Sequence, residues 1–203
     1  MPFVFKRLAL ILSIAACAAA QSGKPPKDAA NFKAGEAGSL PAHQTNDKVT
    51  IGAEPYDHGD KVKVAFGKLN PYEYGVLPVL VVILNDTDKT IRVDHLKVEY
   101  SGPNHDRVEA TPARDVRYLK GADRPTAIPG PGGRVKVLKT KNPLNAWEIE
   151  GRAFSAAMLP PGQSASGFFY FQTGLQHDAT IYIAGMTEAS SGKDFLFFEL
   201  PLK

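Results

Sequence analysis

Val76-Leu77-Pro78-Val79-Leu80-Val81-Val82-Ile83-Leu84 is a run of nine residues without a polar side chain. It is too short to cross a bilayer as a helix, which takes about 20 apolar residues. Pro78 and the β-branched Val76, Val79, Val81, Val82 and Ile83 also argue against a helix. A strand with one wet face alternates apolar and polar residues, so an uninterrupted run reads as a central strand covered on both sides. Asn85-Asp86-Thr87-Asp88 then supplies a turn.

Working outward, the neighbouring segments also read as strands. Upstream, Lys61-Val62-Lys63-Val64-Ala65-Phe66 alternates and predicts a strand with Val62, Val64 and Phe66 on one face. Downstream, Ile91 and Val93 share one parity while Leu96, Val98 and Tyr100 share the other. A period-2 strand cannot bury both sets, which predicts a bulge near Asp94-His95. Phe154, Ala156 and Met158 alternate before the Pro160-Pro161-Gly162 break. Gly167–Gln172 is an aromatic strand, Ile181–Ile183 marks another, and Phe195–Leu200 a last one. Strand signals at near-regular spacing, with 18 Gly and 16 Pro along the chain, predict an all-β antiparallel sandwich.

The middle of the chain departs from this pattern. Residues 107–141 hold nine Lys+Arg and three acids, with Pro125, Pro129, Pro131 and the Gly130–Gly133 cluster. This reads as a long basic, Pro/Gly-rich insertion or hairpin arm. Asn142-Pro143 is placed to cap one short helix running through Trp147 to Glu150 and ending at Gly151.

The N-terminal part has a different character. Lys6-Arg7 precede the apolar run Leu8–Ala16, the length and polarity of a signal peptide. Ile14-Ala15-Ala16-Cys17 resembles a bacterial lipobox, and the chain's only cysteine falls where the apolar run ends. Ala18-Ala19-Ala20 before Gln21 offers the alternative, an ordinary Ala-x-Ala cleavage site. Acylation of Cys17 would give stable membrane anchoring. Between residues 18 and 47 only Phe32 and Leu40 are large and apolar, so this stretch is expected to be a disordered tether with a reach of about 30 Å. The expected organisation is a signal peptide at 1–16, a lipidated cysteine and tether at 17–47, and a sandwich domain at 48–203.

Composition excludes several functions. The formal charge is +3, but Lys6 and Arg7 leave with the leader, so no global field for nucleic acid remains. One cysteine excludes an intrachain disulfide, a CxxC redox centre and a multi-Cys zinc site. Gly162-Gln163-Ser164-Ala165-Ser166-Gly167 has the wrong spacing for a nucleophile elbow. Gly130-Pro131-Gly132-Gly133-Arg134 leads into a strand, not into the helix a phosphate loop needs. Four histidines adjoin an aspartate, at Asp57-His58, Asp94-His95, His105-Asp106 and His177-Asp178. Neighbours on a strand point to opposite faces, so these pairs read as loop polarity and imply no metal. No catalytic set and no cofactor are expected.

Binding suits the residues better. Arg114, Arg117, Lys120, Arg124, Arg134 and Lys136 are candidates to meet anionic lipid head groups or an acidic protein partner. Trp147, with Tyr72 and Tyr74, is a candidate aromatic contact. The expectation is a non-enzymatic exported protein of the cell envelope, anchored by lipid if Cys17 is acylated and otherwise secreted. The alternative is a secreted hydrolase or metal-binding enzyme whose site is assembled only by folding.

Two motifs carry a family resemblance. Val82-Ile83-Leu84-Asn85-Asp86-Thr87-Asp88-Lys89-Thr90-Ile91 and Leu159-Pro160-Pro161-Gly162-Gln163-Ser164-Ala165-Ser166-Gly167-Phe168-Phe169-Tyr170-Phe171 resemble paired signatures of the telokin-like, immunoglobulin-like domain of bacterial secreted lipoproteins. The second is one residue longer than the family pattern between Leu159 and Gly162. The resemblance spans roughly residues 61–200, with the basic insertion as a departure. It implies an immunoglobulin-like sandwich, and it brings no catalytic residues with it.

Overall fold

The structure, a computed structural model, describes residues 32–119, 126–129, 135–138 and 142–202. Strands are numbered along the chain. One sheet contains β1 (Ala42–Asn46), β2 (Val49–Pro55), β3 (Leu77–Asn85) and β10 (Ser164–Phe171), in the order β1-β2-β3-β10. The facing sheet is ordered β13 (Phe198–Pro201), β11 (Thr180–Ala184), β5 (Lys97–Ser101), β6 (Arg107–Glu109). A small third sheet joins β12 (Thr187–Glu188), β4 (Ile91–Arg92) and β9 (Met158–Leu159). All named pairings are antiparallel. β7 (Thr126–Pro129) and β8 (Val135–Leu138) form a separate hairpin within the basic insertion. The fold is an all-β sandwich.

β3 is central, and its parity explains its composition. Leu77, Val79, Val81 and Ile83 enter the core between the two large sheets, with Val98, Tyr100, Ile181, Ile183, Phe198 and Leu200. Leu80 and Val82 face the other way, into a second core with Phe168 and Tyr170 of β10. That second core lies beneath a layer built from α1 (Asp60–Phe66), α2 (Trp147–Gly151), the 3-10 turn Val116–Tyr118 and the N-terminal segment from Phe32. Both faces of the sheet are dry, so no polar side chain is tolerated in the middle of β3.

Four sequence expectations are corrected. Lys61–Phe66 is helix, not strand. Val62 and Phe66 stand at i and i+4, which a helix places on one face as readily as a strand does. Val64 separates the two readings, and it is 55% exposed while Val62, Ala65 and Phe66 are buried.

The tether expectation fails from Phe32 onward. Ala37 and Leu40 are buried, and β1 pairs with β2 through five residues. Its sequence Ala-His-Gln-Thr-Asn hides a strand because only Ala42 faces the core. The polar side chains work at the sheet edge: Glu199 N donates to Gln44 Oε1 at 3.0 Å and Asn46 Nδ2 donates to Phe197 O at 3.4 Å. The folded domain therefore begins near Phe32 and not at residue 48.

The parity change after Val93 is no bulge. Ile91-Arg92 and Lys97–Ser101 belong to different sheets, and a turn at Asp94-His95 re-aims the chain so that Val93, Val98 and Tyr100 all reach the main core. Last, Asn142 does not start a helix. Its Oδ1 accepts from Leu144 N at 3.0 Å and its Nδ2 donates to Arg117 O at 2.6 Å, a local turn that ties two loops together. α2 starts at Trp147 and has Gly151 as its last residue.

Candidate binding surface

The two long sides of the sandwich differ. On one, the Gln44 and Asn46 side chains bond the backbone of the β13 region and tie the sheets together. On the other, β10 and β6 are the sheet edges, and between them lies a cavity of about 460 Å³. Its walls include Leu96, Val98, Ala110, Thr111, Phe154 and Phe169. Phe154 and Phe169 are half-buried and stack with ring centroids 5.4 Å apart and planes 23° apart. A shallower hollow shares Leu96, Phe154 and Phe169 and continues the cavity past Ala156.

Gly167 allows this wall to form. A Cβ there would lie 2.3 Å from Phe154 Cα, so only glycine lets the Ala153-Phe154 backbone run against β10. Phe168 N donates to Arg152 O at 2.9 Å and Phe154 N to Phe168 O at 3.2 Å, which covers part of the β10 edge. Thr111 N donates to Tyr170 O at 2.7 Å and covers another part.

Of the sequence-predicted binding residues, Arg114, Arg117 and Trp147 gather on the layer over the second core. Arg114 is 80% exposed at its side chain. Arg117 Nε donates to Arg114 O at 3.0 Å, and its guanidinium pairs with Glu150 of α2 and stands 5.9 Å from the Tyr118 ring centroid. Trp147 is 38% exposed on α2, and its indole rests so close to Gly151 that a Cβ there would clash at 2.5 Å. Tyr72 packs against the main core and Tyr74 against the second, the core beneath the layer that carries Trp147. Lys136 is in β8. Cys17, Lys120, Arg124 and Arg134 lie outside the described residues.

Sequence reading missed an aromatic cluster under this layer. Phe32, Tyr56, Phe66, Phe168 and Tyr170 pack ring to ring, with Tyr56 and Phe168 edge-on at 4.9 Å. The Arg152 guanidinium stands 4.8 Å from the Phe32 centroid, and its Nε and Nη1 are buried without a hydrogen-bond partner. Burial disfavours its charged form, while nearby Glu148 favours it. Burial also pushes the Tyr56 phenol up to about 12, with the Glu54 charge adding to the effect and Arg152 opposing it. Tyr170 is raised as well, again by burial, and its hydroxyl donates to Ile149 O at 2.7 Å. No short-range pattern links residues so far apart in sequence.

The histidines pair locally. His58 Nδ1 lies 2.7 Å from Asp57, His177 Nδ1 2.8 Å from Asp178 and His95 Nε2 3.4 Å from Asp94. Among the described residues, no three His, Cys, Asp or Glu side chains gather to hold a metal ion. Asp94 is held below the usual carboxylate range by the hydrogen bond from Arg92. Ser164 and Ser166 lie on β10, in extended backbone. Among the described residues, no helix is long and apolar enough to cross a membrane.

The strand pairing and two-sided core define a β-sandwich protein with a helical layer on one sheet and, at its open side, a cavity whose wall mixes Phe154 and Phe169 with Lys97, Glu99 and Glu109. No protein-family model and no curated protein matches the chain. Among solved structures it is similar to the secreted protein MPT63 from Mycobacterium tuberculosis, with 14% identity over 81% of this chain and 95% of that one, at a TM-score of 0.35. It is also similar to the Northeast Structural Genomics Consortium target SoR45, with 11% identity over 78% and 90% and a TM-score of 0.34.

Proposed function

We propose that this chain is an exported, lipid-anchored, non-enzymatic sandwich of the immunoglobulin-like kind. In this reading Cys17 holds it at the cell envelope and a protein partner binds at the open side of the sandwich. The observation that carries the reading is the position of the only cysteine, directly after Lys6-Arg7 and the apolar run Leu8–Ala16. The cavity walled by Leu96, Phe154 and Phe169, with Lys97, Glu99 and Glu109 around them, supports the binding side, because half-buried aromatic anchors in a concave site with polar groups at hand are what partner recognition uses. Arg114, Arg117, Lys120, Arg124, Arg134 and Lys136 are the basic residues that this reading offers to an anionic component of the envelope.

Two measurements test this. Cys17→Ser should abolish labelling by a fatty-acid analogue, and labelling that persists would remove the anchor from the proposal. A photo-crosslinker at Ala156, beside the cavity, should capture one reproducible protein in intact cells and lose it on Phe154→Ser. A crosslinking pattern indifferent to Phe154→Ser would remove the partner site.

A further inference from the structure

The layer over the second core presents side chains that suit a bilayer surface, and they sit where the anchor enters the fold. Tyr118 is 64% exposed and Trp147 38% exposed, on adjoining elements joined by the Arg117–Glu150 ion pair. Arg117 stands against the Tyr118 ring and donates to the Arg114 carbonyl, and the Arg114 side chain is exposed. Tryptophan and tyrosine have an apolar body and a polar tip, which favours them at the head-group level. Arginines beside them fit anionic head groups.

The chain fixes which face meets the membrane. Phe32 stands beside Arg152, the residue that follows α2, and is therefore one short helix away from Trp147. From Cys17 to Phe32 is 15 residues. By chain length alone, the layer that Phe32 joins is the part of the described fold closest to Cys17. A bilayer holding Cys17 is thus nearest to the layer that receives Phe32, not to the facing sheet. Lys33, Lys61, Lys63, Lys68, Arg114, Arg117 and Arg152 on this layer are outnumbered by Glu36, Glu54, Asp57, Asp60, Glu73, Asp115, Glu148 and Glu150. The attraction is therefore interfacial and aromatic, with charge setting only the local fit around Tyr118.

Resting on the anchoring reading above, we propose that Trp147 and Tyr118, with Arg117 against the Tyr118 ring and Arg114 nearby in the chain, form a membrane-contact face that seats the anchored domain on the bilayer. The mature chain beginning at Cys17 can be coupled through its sole thiol to vesicles containing a maleimide lipid, which supplies the tether whether or not cells acylate Cys17. Trp147 is the only tryptophan, so its emission reports this face alone. On vesicles of phosphatidylcholine with phosphatidylglycerol it should shift to the blue and be quenched about twofold by brominated lipid, as for an indole seated in the interface. In a chain carrying Trp147→Phe and Tyr182→Trp, the single tryptophan sits on β11 of the facing sheet, and its emission should not change. Tyr118→Ser should reduce quenching of Trp147 while the urea midpoint stays close to the parent value. Equal quenching at both positions, or none at Trp147 in coupled protein, overturns the proposal. Loss of fatty-acid labelling is a separate result that bears on the anchor alone.

Discussion

The side-chain amide of Asn85 donates to the carbonyl oxygen of Leu159 at 2.8 Å, across 74 residues of sequence. The same Nδ2 donates to Lys89 O at 2.8 Å, and Oδ1 accepts from Thr87 N at 3.0 Å and Thr87 Oγ1 at 2.6 Å. Its backbone completes the junction: Asn85 N donates to Gln163 O and Gly162 N to Asn85 O, at 3.0 and 2.7 Å. Asn85 is fully buried, yet each polar atom is satisfied. The two motifs that carry the family resemblance therefore meet at one residue and close the end of the sandwich. Asn85→Ala leaves the Leu159 carbonyl and the Thr87 N–H short of partners, while the Thr87 hydroxyl can still donate to Lys89 O at 2.9 Å, and the expected loss is about 3 kcal/mol in urea denaturation. Asn85→Asp places a carboxylate against the Leu159 and Lys89 carbonyls and should be at least as damaging. A loss within about 0.5 kcal/mol, the range of ordinary surface changes, would show that the junction is dispensable.

The legible parts of this chain were those where one strand decides its own face. β3 shows in the sequence because nearly every residue in it is apolar, and β10 shows through its aromatic run Phe168–Phe171. What stayed hidden depends on neighbours. β1 is polar because its side chains bond the opposite sheet edge, and nothing local reveals that. The helix at Asp60–Phe66 shares its i, i+4 positions with a strand pattern, so only the layer above the sheet settles it. The Arg152 cluster joins residues from five separate segments, which no spacing rule can collect. The exposed Arg114 and the half-buried Arg117 were visible by composition, but their neighbour Tyr118 was not.

Gly52 tests whether the N-terminal segment belongs to the fold. A Cβ at Gly52 would lie 2.1 Å from Ala37 O, and that atom is backbone. Gly52→Ala should therefore lift the segment from Phe32 to Leu40 off the sheet and lower stability by about 1–3 kcal/mol, the usual cost of overpacking. Hydrogen exchange should show protection lost at Ala37–Ser39 while β3 and β10 keep theirs. Unchanged protection at the turn would mean that the sheet yields and the segment does not.

Tyr56 sets an alkaline limit. Its phenol ionises near 12 in the folded protein because burial, with Glu54, disfavours the phenolate. In the unfolded chain it ionises at about 10. The folded form thus holds its proton longer, so the stability tied to this group is complete below pH 10 and declines as the pH rises toward 12. Tyr56→Phe should flatten that decline, read as urea midpoints between pH 9 and 12. It should not abolish it, because Tyr170 is raised in the same direction. Parallel curves for the parent and Tyr56→Phe would exclude Tyr56 as a source of the alkaline loss.

Arg152 is the place where this fold holds polarity at a cost. Two of its nitrogens are buried without partners, although the guanidinium faces the Phe32 ring. An unsatisfied buried donor costs about 1–3 kcal/mol. The cation–π contact returns about 1 kcal/mol. Methionine has similar length, is flexible and carries no donor, so Arg152→Met should be neutral or gain about 1 kcal/mol while Phe32 keeps its packing. Lysine keeps the charge in a compact, strongly hydrated ammonium, which the aromatic cluster cannot solvate, so Arg152→Lys should be less stable than either. The order Met at or above Arg, and Arg above Lys, in urea midpoints at neutral pH is the expected outcome. If Arg152→Met falls well below the parent, the guanidinium has a real hydrogen-bond partner, and the free donors are an incorrect reading of that site.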